Sequence, residues 1–484
     1  MRALIPVHRW LGIVFCLLFA MWFASGIVMH FVPFPSLTEA ERIDGLAGVE
    51  AAPGLRSPAE AVGAVTGAAR IRLLQRVDRP VYLVSSTAGV KAFGAADLSE
   101  ASVRSEALAF AIAVDHARRR QINASQAAFP ELTIHDQWTL SGSLNRHRPL
   151  YRVALNDEAG TDLYVSSVTG EVVSDTTRHQ RGWNYVGSVT HWIYPTALRS
   201  HAGIWNTTVW SLSLAALIAA LAGSLLGILA IKLAWGSIVS PYQGWHKWHH
   251  LLGLACMAFV VSWIFSGWLS MDSGRLFSTG ALTPEESSKI PGMPAWNKVS
   301  KAGWQPASVA ARETIKELEW FLLDGENYRR ERTGLDTQRL FAVNAGAGAS
   351  PPPQVFLGRY EVGGLVERLA SGCNAPIVVG ADDNYVVSSS MPNAPVYRSV
   401  CSDVWYHVDG ANGAILERSD RSTRLYRWLY RALHRLDIPV LNAHPTLRST
   451  LIVLLCGCGL VFSLTGVVIG WRRLRLQFSP RPTP

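Results

Sequence analysis

The sequence predicts a membrane α-helical protein with four transmembrane helices in a duplicated parallel repeat, and with two α+β domains outside the membrane. Hydrophobic residues make up 49% of its 484 residues and charged residues only 17%, which is typical of membrane proteins with folded soluble parts. A helix needs about 20 apolar residues to cross a hydrocarbon core of about 30 Å. Four apolar stretches are long enough: residues 10–32, 204–231, 251–271 and 447–470.

Positive charge in the short flanks predicts the orientation of these helices. Arg2 and Arg9 precede the first apolar stretch, Lys232 and Lys247 lie between the second and third, and arginines follow Trp471. If these flanks lie in the cytoplasm, both long segments lie on the other side of the membrane, which in a bacterium is the periplasm. The first stretch is too long for the core of a signal peptide, and no small-x-small cleavage motif follows it, so we expect a retained helix.

The predicted organisation therefore alternates membrane and soluble parts. Its successive parts are a first transmembrane helix in 1–32, a periplasmic domain in 33–202, a helix in 203–232, a cytoplasmic loop in 233–248, a helix in 249–271, a second periplasmic domain in 272–446, a fourth helix in 447–471 and a cytoplasmic tail in 472–484. The net charge of +9 suits an anionic membrane face. No patch of basic and aromatic residues suggests nucleic acid.

Polar and small residues recur at fixed offsets along the chain. His8 recurs as His249, and Ser25-Gly26 recurs as Ser266-Gly267, each 241 residues later. His191, His201, Gly223 and Gly227 recur 243 residues later as His434, His444, Gly466 and Gly470. The offsets predict a repeated unit of helix, outer domain and helix, with both copies entering the membrane from the same side. Such a parallel repeat has its symmetry axis along the membrane normal.

The outer segments combine helical and strand patterns. Residues 58–66 and 105–119 have helical spacing of apolar positions, and 149–173 alternate as a hairpin with turns at Asn156–Gly160 and Val168–Gly170. Residues 404–416 repeat this pattern, and 343–353 are expected to form a loop. Each outer domain is therefore predicted to be α+β with a small antiparallel sheet. Cys373 and Cys401 lie where a disulfide could persist, but the sequence does not decide whether they are bonded.

Histidines carry the candidate chemistry, since nine of the 14 lie at or near predicted helix ends. His8 and His30 are 22 residues apart on one helix, which at 1.5 Å per residue is about 33 Å and places them at opposite membrane faces. The cytoplasmic group is His8, His246, His249 and His250, and the outer group is His30, His191, His201, His434 and His444.

A single interfacial histidine is usually an amphipathic anchor. Here three histidine pairs match between the two halves, and ionisable residues at membrane depth usually have a function. Imidazole is a standard axial ligand of haem iron. The absence of Cys-x-x-Cys-His excludes covalent attachment and leaves haem b. Zinc is the rival metal, but it requires four ligands, often including thiolates or carboxylates, and these clusters contain few acids.

Several strings resemble the PepSY-associated transmembrane family. They are His8-Arg-Trp-Leu-Gly, Ser25-Gly-Ile-Val-Met-His30, Thr190-His-Trp-Ile-Tyr-Pro, Ser200-His-Ala-Gly and His434-Arg-Leu-Asp-Ile-Pro with the later His444-Pro. Thr169-Gly-Glu-Val resembles the end of a PepSY domain, and Trp405–Leu416 is a weaker copy. The resemblance covers nearly the whole chain, and the histidine-bearing helices are its more specific part.

This resemblance implies an inner-membrane reductase with two b-type haems that releases iron from ferric siderophores in the periplasm. The family's helix-start histidine falls on His8 and His249, with His250 as a possible substitute. Its outer histidines fall on His191, His201, His434 and His444. His30 is an extra outer candidate, and the repeat departs from symmetry there because Met271 takes the matching position.

The resemblance leaves open whether one haem lies at each face or both lie near the outer face. The cytoplasmic segments are too short for a nucleotide-binding fold, so the electron donor is expected to be a quinol, a reduced flavin or a redox protein. Two alternative functions remain, a siderophore or metal transporter and a non-catalytic sensor or regulator. Haem bound to the purified protein would distinguish the reductase from both.

Overall fold

A computed structural model describes residues 3–49, 54–86, 88–234, 237–272, 276–290, 314–343 and 352–478. The chain forms two compact units. The first contains residues 1–34, 180–278 and 422–484, and the second contains 35–179 and 279–421. The second unit thus draws on both of the outer segments, while the boundaries 33–202 and 272–446 stay predictions.

Among the described residues, four helices of the first unit are long and apolar enough to cross a membrane. They are α1 (Leu4–Phe31), α7 (Ala202–Leu229), α8 (Gly244–Ser270) and α14 (Pro445–Phe478). These helices confirm a multi-pass membrane protein at the four predicted spans. The last helix continues through the arginines of the predicted tail, since these residues favour a helix C-terminus electrostatically. Each helix packs against two others in the cyclic order α1, α7, α8, α14.

Short elements connect the long helices. In the first half they are α5 (Arg178–Asn184), a π-helix (Tyr185–Val189) and α6 (Thr196–Arg199). In the second half they are α11 (Arg421–Tyr426), a π-helix (Arg427–Ala432), α12 (Leu433–Arg435) and α13 (Pro439–Asn442). The predicted loop 233–248 contains part of a hairpin of β8 (Lys232–Ala234) and β9 (Ser237–Val239) and the start of α8.

The second unit contains a six-stranded antiparallel sheet that both outer segments build. Its strands are β1 (Ala68–Gln75), β2 (Pro80–Ser86), β3 (Gly89–Gly94), β10 (Glu317–Leu323), β11 (Glu326–Arg332) and β12 (Gln338–Ala342). The order β12-β11-β10-β1-β2-β3 places the join between the two segments at its centre. There Arg72 lies opposite Glu319.

The described part of the second unit also contains two four-stranded antiparallel sheets. One contains β4 (Glu131–Thr133), β5 (Leu150–Ala154), β6 (Asp162–Ser166) and β7 (Val172–Thr176). The other contains β13 (Ile377–Val378), β14 (Val396–Cys401), β15 (Val404–Asp409) and β16 (Ile415–Ser419). The strand pairing shifts register at Tyr164/Val165 in the first sheet and at His407/Val408 in the second. These two positions are separated by the same number of residues as His191 and His434. A disulfide joins Cys373 to Cys401.

Helices accompany these sheets, so the second unit is α+β, as predicted. The helices are α2 (Glu39–Asp44), α3 (Pro58–Gly63), α4 (Glu106–Arg119), α9 (Pro284–Lys289) and α10 (Arg359–Leu369), with a 3-10 helix at Gly142–His147. α4 packs on the first four-stranded sheet and α10 on the second. The predicted hairpin in 149–173 and both predicted helical segments are confirmed. Of the predicted loop 343–353, residues 344–351 lie outside the described residues.

Buried charges line one face of the six-stranded sheet. An Arg72 amino group lies 2.8 Å from Glu171 and 3.1 Å from Glu317, and Glu317 also pairs with Arg42 at 2.9 Å. Burial alone would raise the pKa of Glu317, but the guanidinium groups of Arg42 and Arg72 outweigh it and hold the pKa well below its ordinary value of 4.5. The ionised carboxylate therefore stabilises the folded state.

We predict that Glu317→Gln lowers the free energy of unfolding by about 3 kcal/mol at pH 7, since it leaves buried guanidinium groups without their charge partner. The folded-state pKa of Glu317 is depressed, so its contribution is complete above pH 4.5 and is lost as the pH falls further. Thermal unfolding of the detergent-solubilised protein between pH 7 and pH 3 checks this, because the variant should lose less stability on acidification than the wild type.

Glu60→Gln is the matched control. Glu60 pairs with Arg56 at 2.8 Å on the surface, and such exposed pairs contribute about 0–1 kcal/mol. Equal destabilisation by the two substitutions would contradict the assignment of Glu317 to a buried charge network.

Candidate metal centres in the membrane helices

Two pairs of imidazole rings face each other in the helical unit. The ring centroids of His8 and His249 are 6.3 Å apart, and those of His191 and His434 are 6.4 Å apart. His191 contacts Ser25, which lies on α1 well beyond His8. At a rise of 1.5 Å per residue, positions 8 and 25 of this helix are about 25 Å apart along its axis. The two pairs therefore lie towards opposite ends of the bundle.

Hydrogen bonds define the tautomer of the first pair. Nδ1 of His8 donates to the carbonyl oxygen of Ala219 on α7 at 3.1 Å. Nδ1 of His249 is 2.8 Å from the hydroxyl of Thr465 on α14, and that hydroxyl already donates to the carbonyl of Phe462. Both partners can only accept, so Nδ1 carries the proton in each ring and Nε2 carries a lone pair.

The second pair uses the same arrangement with serine. Nδ1 of His191 is 3.0 Å from the Ser25 hydroxyl, and Nδ1 of His434 is 3.2 Å from the Ser266 hydroxyl. Each serine already donates to the carbonyl four residues earlier, at 2.6 and 2.7 Å, so each accepts from its histidine. Burial lowers the pKa of both histidines, which keeps the rings neutral. Neutral imidazole is the form that binds metals.

The π-helices explain how His191 and His434 reach these positions. One π-helix ends at Val189 and the other at Ala432, each two residues before its histidine. A π-helix accommodates an extra residue, so the following side chains face a different direction than in a continuous α-helix. Such local irregularities frequently occur at functional sites.

A glycine adjoins each of the four rings. A Cβ atom added to Gly223 would lie only 2.4 Å from Cε1 of His8. The corresponding distances are 3.5 Å for Gly466 and His249, 3.7 Å for Gly26 and His191, and 3.2 Å for Gly267 and His434. Gly223 thus leaves space that the His8 ring occupies, and the other three give their rings close access to the backbone.

The other candidate histidines have different surroundings. Nε2 of His250 lies 2.9 Å from the carbonyl of Gly227 and must donate to it, so His250 faces α7 rather than His8. His30 bonds to the Ser449 hydroxyl at 2.8 Å. His201 and His444 are exposed. Within the described ranges, none of these four faces another imidazole.

Sequence reasoning missed the groups that orient the rings. Ser25 and Ser266 were noted only as a repeated pair, although their recurrence at the offset of His8 and His249 was a signal of a shared role. Thr465 gave no such signal, since Ala222 takes its place in the other half. Phe462, stacked 4.8 Å from His249, was also missed.

The centroid separation in each pair, 6.3 and 6.4 Å, would suit one metal bound by a nitrogen of each ring. A metal lies about 2 Å from an imidazole nitrogen, so two rings that share it have centres roughly 6 Å apart. In the part of the chain that the structure describes, no group of three or more His, Cys, Asp or Glu is placed to bind a metal. The two histidine pairs are therefore the candidate ligand sets.

Four apolar helices and these paired histidines define a multi-pass membrane protein with candidate metal centres. The profile of the PepSY-associated TM region matches residues 5–354, which include His8, His191 and His249. The chain belongs to this family, and the predicted resemblance is confirmed. A comparison with curated proteins found no match.

We predict that Gly223→Ala destabilises the protein by about 1–3 kcal/mol, because the new methyl group would overlap the His8 ring. Gly457→Ala is the control in a membrane helix, since a Cβ atom there meets nothing within 4 Å. Thermal unfolding in detergent compares the two variants. Identical unfolding temperatures would show that His8 does not lie against Gly223.

Proposed function

We propose that this chain is an inner-membrane reductase with two b-type haems that passes electrons across the membrane to a ferric siderophore in the periplasm. The observation that carries the proposal is the presence of two facing histidine pairs, with centroids 6.3 and 6.4 Å apart. In each ring Nδ1 donates a hydrogen bond and leaves Nε2 for iron.

The residues fit haem b better than zinc. Each pair would supply two histidine ligands, a usual set for the iron of haem b, whereas a structural zinc site requires four ligands. His8 and His249 would hold one haem, and His191 and His434 the other. The adjoining glycines let each histidine ring lie close to a helix backbone. Bound in this way, haem supplies one-electron iron chemistry whose potential depends on ligands and burial.

The protein's own groups orient the ligands. The hydroxyls of Ser25, Ser266 and Thr465 and the carbonyl of Ala219 accept the Nδ1 protons, which fixes each ring plane and makes Nε2 a stronger ligand. Because the Nδ1 protons stay in these bonds, the histidines need not release a proton when an electron passes. The apolar side chains of the bundle exclude water around them.

The contacts favour a duplicated parallel repeat with cytoplasmic termini. α1 and α8 both begin at the end that holds His8 and His249. The guanidinium of Arg472, near the end of α14, lies 5.8 Å from the ring of Trp245 at the start of α8. Cationic residues thus gather at this end, which the positive-inside rule assigns to the cytoplasm. His191 and His434 would then lie on the periplasmic side.

The donor and the product follow from this arrangement. Electrons would enter at the His8–His249 end from a quinol, a reduced flavin or a redox protein. At the other end, reduction to Fe(II) would weaken the hold of a siderophore with hard oxygen donors. The histidine pairs favour this reading over transport or sensing, because neither alternative requires facing imidazoles.

We predict that the purified, haem-supplied protein binds about two haem b per chain, shown by a sharp reduced band in the visible spectrum and a pyridine haemochrome count. His249→Leu and His434→Leu should each remove about one haem, since each breaks a different pair. The double variant should remove both.

His201→Ala and His444→Ala are the controls, because both side chains are exposed and neither faces another imidazole in the described residues. Both variants should retain the haem content of the wild type. A wild-type spectrum without haem bands would overturn the proposed function.

A further inference from the structure

A row of aromatic rings leads away from His434. Tyr430 stacks on His434 with ring centroids 5.6 Å apart and planes inclined by 26°. Tyr426 lies 5.3 Å from Tyr430, and Phe277 lies 5.0 Å from Tyr426. Residues 426, 430 and 434 follow at intervals of four, which brings their side chains to one side of the helical segment. Tyr426 and Phe277 are both half-buried, so the row reaches the surface.

The first half has no aromatic residue at the position that corresponds to Tyr430. At the offset that relates His191 to His434, Trp183 corresponds to Tyr426 and Gly187 to Tyr430. A Cβ atom added to Gly187 would already lie 3.0 Å from Val28, so this position has no space for a ring. Only the His434 side of the pair therefore has a stacked ring at this position.

Positive charge is concentrated on the same side. Arg431 and Arg435 flank Tyr430 in sequence, whereas their counterparts in the first half are Ser188 and Trp192. The nearby Arg427 is buried and pairs with Asp437 at 3.8 Å, so it does not add to the surface charge. Both Arg431 and Arg435 interact electrostatically with the Tyr430 side chain. A cluster of cations at a surface attracts anionic ligands and raises their association rate.

We infer that electrons leave the His191–His434 site through the rings of Tyr430 and Tyr426, and that an anionic ferric chelate docks beside them on the second half. The inference rests on the proposed function. In each event one electron would pass from the reduced haem that His191 and His434 would hold to the chelate, whose Fe(III) would become Fe(II). The tyrosines keep their protons and electrons and act as a bridge, because tunnelling decays more slowly through rings in contact than across a gap.

Tyr426→Leu and Trp183→Leu form the matched pair for testing the route. The reduced protein is mixed anaerobically with Fe(III)–EDTA, and haem reoxidation and Fe(II) release are followed by stopped flow. Tyr426→Leu should slow both several-fold, while Trp183→Leu should match the wild type. Haem content and reduced spectrum should be unchanged in both variants.

Docking is tested separately with haem-free protein and the redox-inert probe Ga(III)–EDTA. Arg431→Gln should weaken binding several-fold in calorimetry, and Arg181→Gln, on the first half, should not.

Equal reoxidation rates for Tyr426→Leu and Trp183→Leu, or equal gallium binding by the two arginine variants, would overturn the inference. Haem binding and Fe(III)–EDTA reduction by the wild type would still support the proposed function, whereas a wild type without haem would overturn both.

Discussion

Each paired histidine donates its Nδ1 proton to an acceptor on a neighbouring helix. Inside an apolar bundle, a buried donor without an acceptor costs about 1–3 kcal/mol, so these bonds are a condition for placing imidazole there at all. The same bond determines the tautomer, the ring plane and the atom that remains free. The hydrogen bond also accounts for the adjoining glycines, because a ring held this close to a helix leaves little space for a side chain on that helix.

The second unit depends on a different kind of long-range contact. β1 and β10 come from the two different outer segments, far apart along the chain, yet they pair at the centre of one sheet. Arginines from β1 and glutamates from β10 neutralise one another on its buried face. Neither group of charges could be buried alone at acceptable cost, so the two segments stabilise this unit only together.

Departures from the repeat are as informative as the repeat itself. Facing histidines, serines and glycines recur at nearly constant offsets, which supports two halves built on one plan. Tyr430 and Gly187 break that plan beside the histidine pair, and so do the arginines that accompany Tyr430. These differences are what the proposed electron path would require, because it would leave the helices on one side only.

The sequence by itself determined the four spans, the helical segments 58–66 and 105–119 and the hairpin in 149–173, because hydropathy and periodicity are local properties. It also divided the histidines into two groups at opposite ends of the helices.

Only the tertiary structure selected one facing pair from each group. His249 and His250 are adjacent, and successive residues of a helix point about 100° apart, so helix packing alone decides which faces His8. The meeting of His191 with His434, and the joining of two outer segments in one sheet, likewise depend on contacts between distant parts of the chain that no local pattern encodes.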